Sequence, residues 1–268
     1  MSKLFTIFGN PVSHSISPLI HNFAIKKLNI DACYTRTLLE NSKEFKNIFI
    51  NSGFNGANIT VPFKEVAFNS CDAVKDIAKD IKAVNTIIKK DDKLIGYNTD
   101  APGFYEGIKD MKDIKSVLIL GAGGTAKAIS FILREKGYSV TILNRSQARL
   151  EPFIKNGFNA HSWSDFSIKN FDLIVNTTSA GLNDNSLPLE EKLLKELFSK
   201  ANFAIDVIYG KHTPFLKLAK ENKLHTKDGL FMLLNQAVLA FEIFFNNQYD
   251  FQDIYKYMRY ATEKLKIY

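Results

Sequence analysis

Short runs of apolar and β-branched residues recur along the chain, and polar or glycine-rich breaks and helical stripes separate them. Leu4–Phe8, Cys33–Leu39, Gly56–Val61, Val117–Leu120, Ser139–Leu143, Phe171–Val175 and Ala204–Ile208 read as strands. Gly9-Asn10-Pro11 ends the first and Pro62 stops the third. Between them, Leu19, Ile20, Phe23, Ala24 and Leu28 mark one face of a helix that opens on Ser17-Pro18, with Ser17 as the expected N-cap. Further helices are expected over Glu44–Ile50, from Phe63-Lys64-Glu65-Val66, from Thr213-Pro214 through Lys220, and over Leu230–Phe245. Val84–Ile88 and Leu94–Tyr97 flank the polar turn Lys89-Lys90-Asp91-Asp92 and read as a hairpin. Strands alternating with helices predict an α/β protein.

The stretch from Ser116 to Arg149 is the most informative. A wholly apolar strand runs into Gly121-Ala122-Gly123-Gly124-Thr125-Ala126, then a helix, then after Gly137 a second strand. Gly121, Gly123 and Ala126 have the spacing a dinucleotide-binding turn needs: a tight turn, close approach of backbone to a pyrophosphate, and close packing of helix on strand. The new helix offers free N–H groups and its positive end to that anion. An NAD site places an acid at the end of the second strand for the ribose 2′-hydroxyl. This chain has Asn144 there, then Arg145 and, four residues on, Arg149, so a 2′-phosphate and hence NADP is expected.

Composition narrows the remaining choices. The 268 residues are 46% apolar and 24% charged, ordinary for a globular protein and enough for two domains. The net charge of +7 comes largely from scattered lysines without a dense basic run, so small phosphorylated or carboxylated ligands are expected and nucleic acid is not. Cys33 and Cys71 form no metal-ligand or disulfide pattern, and the first twenty residues lack the pattern of a signal peptide, so a reduced, cytoplasmic protein is expected. Leu230–Phe245 would span roughly 24 Å, short of the roughly 30 Å hydrocarbon layer; a buried helix is expected, with no membrane partner. The five histidines have no metal-ligand spacing and Gly-x-Ser-x-Gly is absent, so neither a catalytic metal nor a nucleophile-elbow hydrolase is expected.

Several polar residues fall where such folds bind ligands, at strand carboxyl ends and helix starts. Ser15 and Ser17 stand at the mouth of the first helix, as anion-facing hydroxyls or as a turn and a cap. Thr60 ends a strand, and Lys64 sits in a first helical turn, where the dipole disfavours a cation; a lysine reaching into solvent is the alternative. Asp100 lies near the expected domain junction, as a ligand group or a turn former beside Pro102-Gly103. Asn176-Thr177-Thr178-Ser179-Ala180-Gly181 and Tyr209-Gly210 follow two further strands, and by period alone Gln236 reads as a core amide.

Together these segments closely resemble the shikimate dehydrogenase family, NADP-dependent reductases of 3-dehydroshikimate in aromatic amino-acid biosynthesis. The resemblance rests on SHSISP (Ser13–Pro18), NITVPFK (Asn58–Lys64), AVNT (Ala83–Thr86) and NTDAPG (Asn98–Gly103) in the first half. GAGGTA (Gly121–Ala126), NRSQAR (Asn144–Arg149), NTTSAG (Asn176–Gly181), DVIYG (Asp206–Gly210) and DGLFMLLNQA (Asp228–Ala237) carry it in the second. It implies a substrate domain over residues 1–101 completed by 235–268, a doubly wound Rossmann sheet over 102–234, and a carboxy-terminal helix returning to the first domain. It also implies that Ser15 and Ser17 hold the substrate carboxylate with Tyr209 nearby, that Thr60, Asn85 and Gln236 bind ring hydroxyls, and that Lys64 and Asp100 form the proton-handling pair. Gly121, Ala122, Gly123, Gly124 and Thr125 would cradle the pyrophosphate. Asn144, Arg145, Ser146, Gln147, Ala148 and Arg149 would read the adenosine phosphate, Val207 and Gly229 would line the nicotinamide end, and Asp76 is a further cofactor contact. A homodimer is compatible with the family. The rival readings are a quinate/shikimate dehydrogenase with broader cofactor use and a catalytically idle NADP-binding regulator. The chain departs from the family pattern at Gly210-Lys211, where a proline often follows the tyrosine, and at Leu182, often methionine.

Overall fold

A computed structural model describes residues 2–264. Among the described residues no helix is long and apolar enough to cross a membrane. The chain divides into two compact units, one formed by the residues up to Gly103 and those from Leu234, the other by Phe104–Leu233. The crossings fall inside the helices Asp100–Glu106 and Leu230–Phe244, between Gly103 and Phe104 and between Leu233 and Leu234.

In the first unit the strands are β1 (Lys3–Gly9), β2 (Ala32–Leu38), β3 (Gly56–Ile59), β4 (Ala73–Val74), β5 (Thr86–Lys90) and β6 (Lys93–Tyr97). Their order is β2-β1-β3-β5-β6-β4. β1 lies parallel to β2 and β3, β5 runs antiparallel to both β3 and β6, and β4 is parallel to β6. The hairpin turn is tighter than the sequence suggested. Lys89 and Lys90 belong to β5, and only Asp91 and Asp92 form the loop, at φ +49° and +58°, as a two-residue hairpin turn of left-handed residues requires. Beneath the sheet Phe8 meets the rings of Phe45, Phe49 and Phe54. On the other side Phe5 stacks on Phe244 and meets Phe245 edge-on, both near the end of the helix Leu230–Phe244. A last helix, Phe251–Lys264, packs on Ser17–Lys27, with Ile254, Met258 and Ala261 buried at helical spacing.

The second unit carries β7 (Ser116–Leu120), β8 (Ser139–Asn144), β9 (Asn159–Ser162), β10 (Leu173–Asn176), β11 (Phe203–Asp206) and β12 (His225–Lys227). All pairings are parallel, in the order β12-β11-β10-β7-β8-β9. Counted from β7, this is the doubly wound 3-2-1-4-5-6 arrangement, whose order reverses between β7 and β10 and so opens a crevice at their carboxyl ends. Val117, Leu118 and Ile119 are fully buried, as a strand covered on both faces demands. The edge strands β9 and β12, reading NAHS and HTK, are too polar to be read as strands from their residues.

Candidate active site

In the first unit two charged side chains stand at the starts of two helices. Lys64 opens Lys64–Ser70 and Asp100 opens Asp100–Glu106. Lys64 Nζ lies 2.6 Å from Asp100 Oδ2, with the side chains 27% and 16% exposed. The carboxylate suits a helix start and the ammonium does not, so the ion pair accounts for a lysine placed against its dipole. Asp100 begins a helix instead of a turn, and Pro102, lacking an N–H, is tolerated in that first turn. Its neighbours are fixed on both sides: Thr99 N donates to Asn85 Oδ1 at 2.8 Å and Ala101 N to Asn98 Oδ1 at 3.2 Å. Asn98 Nδ2 in turn donates to the Ala83 carbonyl, and Val84 N to that of Lys64.

Behind the pair runs a buried polar chain. The Tyr34 hydroxyl donates to Asn58 Oδ1 at 2.7 Å, and Asn58 Nδ2 donates to Thr86 Oγ1 at 3.0 Å and to the Asn85 carbonyl at 3.2 Å. Thr86 Oγ1 donates to Asn85 Oδ1, and Asn85 Nδ2 donates to Thr99 Oγ1 at 3.0 Å. Asn85 is only 3% exposed, and these bonds leave one amide hydrogen for a ligand. Asn58, Thr86 and Thr99 were visible in the sequence only as members of motifs; what joins them is the pairing of β5 with β3 on one side and β6 on the other. At the far end His21 stacks on Tyr34, centroids 4.3 Å apart and planes 8° from parallel. Burial pushes the His21 imidazole down to about 3 and the Tyr34 phenol well above its ordinary value.

The remaining predicted residues of this unit lie at the carboxyl ends of β1 and β3 and on the apolar helix. Ser17 does not cap its helix; it is the first helical residue, and its N–H donates to Ser15 Oγ at 3.3 Å. Ile16 takes the cap position with helical dihedrals and no side-chain cap bond, so the first helical N–H turns to the Ser15 hydroxyl instead. Arg36 on β2 donates through its guanidinium to the Ser15 carbonyl and pins this loop, a contact no local pattern announces. Thr60 follows β3, and a Cβ on Gly9 would lie 2.4 Å from its methyl group, so glycine is required there. Gly103 has the same role for the apolar helix: a Cβ would lie 2.7 Å from Gln236 N. Asn235, 6% exposed, is the core amide, donating to the Gly103 carbonyl at 3.1 Å, while Gln236 is half-buried beside it. Asp76 is exposed in a left-handed turn of this unit (φ +49°) and is not among the residues lining the cleft of the other unit.

That cleft, of about 450 Å³, opens at the carboxyl ends of β7, β8 and β10. Of the predicted cofactor residues, Gly121, Ala122, Gly123, Asn144, Arg145 and Arg149 line it. Gly124 and Thr125 form the first turn of the helix Gly124–Glu135 instead, and Ser146, Gln147 and Ala148 are exposed in the adjoining turn without lining the cleft. Thr177, Thr178, Ser179 and Ala180 line it too, at the strand end where the sequence placed them among ligand-facing positions. Val207 and Gly229 touch each other, a Cβ on Gly229 falling 1.9 Å from the Val207 carbonyl oxygen. Tyr209 is half-buried, and burial pushes its phenol up.

The residues of the cleft fit a phosphorylated dinucleotide. Gly121 takes φ +109°, and a Cβ there would meet Thr177 Oγ1 at 2.7 Å, whereas Gly123 and Gly124 face open space. The twelve-residue helix that follows aims unbonded N–H groups at this space. Among the described residues neither Arg145 nor Arg149 is in an ion pair. The cleft's carboxylate, Asp184, is already taken: Ser186 Oγ and the N–H groups of Ser186 and Gly181 bond it and hold it below the usual range. Beneath, fully buried Asp206 accepts from Thr213 Oγ1 (2.7 Å), Asn176 Nδ2 (3.1 Å) and Ile208 N (3.1 Å). Burial raises its pKa against the pull of these bonds. Through Asn176, which accepts from Thr178, this cluster fixes the loops after β10 and β11. Among the described residues no cluster of His, Cys, Asp or Glu could hold a metal ion.

Residues 7–87 match the family described as shikimate dehydrogenase substrate binding domain, and residues 106–207 match shikimate/quinate 5-dehydrogenase. The shikimate dehydrogenase (NADP(+)) of Helicobacter hepaticus is 48% identical over 252 residues, covering 93% of this chain and 94% of that protein. The shikimate 5-dehydrogenase of Thermus thermophilus, solved in complex with NADP(H) and shikimate, is similar at TM-score 0.84 and 33% identity, over 97% of this chain and 99% of that one. The ligand-free 5-ketofructose reductase of a Gluconobacter species matches with a TM-score of 0.83 and 30% identity, over 97% and 99%. A shared fold therefore leaves the choice of carbonyl substrate to the site. Two matched domains in sequence, near-complete coverage and a glycine turn on a doubly wound sheet make this chain a member of the shikimate dehydrogenase family, NADP-linked oxidoreductases by the names of its relatives.

Proposed function

We propose that this chain catalyses the reversible, NADPH-dependent reduction of 3-dehydroshikimate to shikimate, a step of aromatic amino-acid biosynthesis, with Lys64 and Asp100 handling the proton. The observation that carries the reading is the 2.6 Å Lys64–Asp100 pair at two helix starts, backed by a buried polar chain. When bound, the reduced nicotinamide supplies the hydride. The Lys64 ammonium donates a proton to the carbonyl oxygen as it becomes a hydroxyl; in the reverse direction the neutral amine takes that proton back. Asp100 holds Nζ in place, and the partial exposure of both groups lets solvent replace the proton. Ser15 and Ser17 offer hydroxyls for the ring carboxylate, and Thr60, Asn85 and Gln236 offer groups for the ring hydroxyls. Asn144, Arg145 and Arg149 hold the 2′-phosphate of NADP, where a charge-assisted guanidinium contact favours it over NAD.

The test follows nicotinamide absorbance with shikimate or quinate against NADP+ or NAD+. Shikimate with NADP+ should be the fastest pair. Comparable rates with quinate and NAD+ would favour a quinate/shikimate dehydrogenase instead, and no turnover with any pair would leave a cofactor-binding regulator.

A further inference from the structure

The cleft of the second unit contains a residue to which neither the glycine turn nor the arginines assign a role. Trp163 is the only tryptophan of the chain and is 40% exposed, a large apolar ring left facing solvent. It lines the same cleft as Gly121, Asn144, Arg145 and Arg149, and no other lining residue is aromatic. We infer that the Trp163 indole is the platform on which the adenine ring of the cofactor stacks. This inference rests on the NADP reading given above.

The sheet register carries the argument. β8 and β9 run parallel, with Asn144 paired to Ser162. Arg145 and Trp163 are therefore each the first residue beyond a matched pair, side by side on neighbouring strands that stand about 4.8 Å apart. A nucleoside whose 2′-phosphate is held by Arg145 has its base within reach of the next strand, and the residue presented there is the indole. The strand order excludes the other end of the dinucleotide. The glycine turn after β7 holds the middle of the molecule, and β10, β11 and β12 lie on the opposite side of β7 from β8 and β9. Val207 and Gly229 follow β11 and β12, so the nicotinamide is directed away from Trp163.

The indole is also held in place and free to stack. Ser162 Oγ donates to Asp165 Oδ2 at 2.5 Å and bonds Ser164 Oγ at 2.8 Å, while Asp165 N donates to the Ser162 carbonyl. These bonds fix the turn on either side of Trp163. Among the described residues its ring stacks on no other aromatic ring and carries no cation–π contact. Purine on indole is a strong, sequence-tolerant contact, because both partners are flat and the base offers a π-face.

The lone tryptophan reports on its own environment. The full chain is titrated with NADP+, with adenosine 2′,5′-bisphosphate and with nicotinamide mononucleotide, and tryptophan emission and calorimetric heat are followed together. NADP+ and the bisphosphate should quench emission along the same isotherm as the heat, and the mononucleotide should not. Trp163→Ala should bind NADP+ and the bisphosphate about tenfold more weakly, while Trp163→Phe, which keeps a ring, should stay within about threefold of the wild type. Calorimetric binding of NADP+ by the wild type without quenching, or with unchanged affinity in Trp163→Ala, overturns the stacking inference and leaves the cofactor reading standing. Absence of NADP+ binding to the wild type overturns both.

Discussion

The two units solve opposite problems with their polar groups. In the first, nearly every polar side chain behind the Lys64–Asp100 pair is committed: Tyr34, Asn58, Thr86, Asn85 and Thr99 bond one another out of solvent, and Arg36 pins Ser15. In the second, the cleft is built from what is left open, with glycines that lack a side chain, a helix start without a cap, and exposed arginines outside the ion pairs found among the described residues. The proton transfer proposed for Lys64 needs heavy atoms held within a fraction of an ångström, and a pre-bonded scaffold supplies that. A dinucleotide brings its own charge and needs only complementary donors in open space. Committed groups should therefore govern turnover, and open groups should govern affinity.

Substitutions can break that division. The largest effect is expected at the proposed proton-handling pair: Lys64→Ala, and more mildly Asp100→Asn, should lower kcat by about 100- to 10,000-fold, the range of general acid–base catalysis. Arg145→Ala should act on the other side, raising KM for NADP+ by roughly tenfold or more while leaving kcat and NAD+ use nearly unchanged, since a charged hydrogen bond contributes about 1.5–3 kcal/mol. Steady-state kinetics with both cofactors checks each prediction. Tyr34→Phe leaves Asn58 Oδ1 short of a buried donor and should cost about 1–3 kcal/mol in denaturant unfolding. Its effect on kcat should exceed its effect on cofactor affinity.

The effect smallest at neutral pH shows only in acid. His21 is neutral in the fold, with its pKa pushed down to about 3 by burial, and among the described residues its Nδ1 has no hydrogen-bond partner. The unfolded chain binds a proton on this residue below pH 6.5 and the folded chain does not. Stability should therefore fall as pH drops from about 6.5 toward 3, by at most about 1.4 kcal/mol per pH unit from this group. Tyr34 and Phe241 stack on the ring and Phe244 tilts against it, and burial among such rings is what lowers its pKa. His21→Phe should flatten the dependence of Tm on pH across that window while leaving the Tm near neutrality within a few degrees.

The same contrast explains what could be read from the sequence. The glycine turn, the arginines after β8 and the apolar central strands are local, so spacing alone reveals them. Ser17 as a cap was a local inference too, yet the helix began one residue early and left that bond to Ser15. The chain from Tyr34 through Asn58 to Asn85 and Thr99 depends on strands far apart in sequence, and no single stretch contains it. β9 and β12 escaped notice because edge strands face water and keep polar residues, as Asn159 and His225 show. The helices Phe251–Lys264 and Glu191–Phe198 went unread, although their buried stripes, Ile254, Met258 and Ala261 in one and Leu194, Leu197 and Phe198 in the other, have helical spacing. Trp163 was legible only as a residue type; its meaning comes from the register of β9 beside β8.

Because the account turns on Lys64 as proton handler and not as substrate anchor, the most direct measurement separates turnover from affinity in Lys64→Ala. Shikimate binding is followed by calorimetry and hydride transfer by single-turnover absorbance in the same preparation. The account predicts a shikimate Kd within roughly tenfold of wild type and a single-turnover rate at least about 100-fold slower. A near-normal rate, or a loss matched in full by weaker shikimate binding, would contradict it.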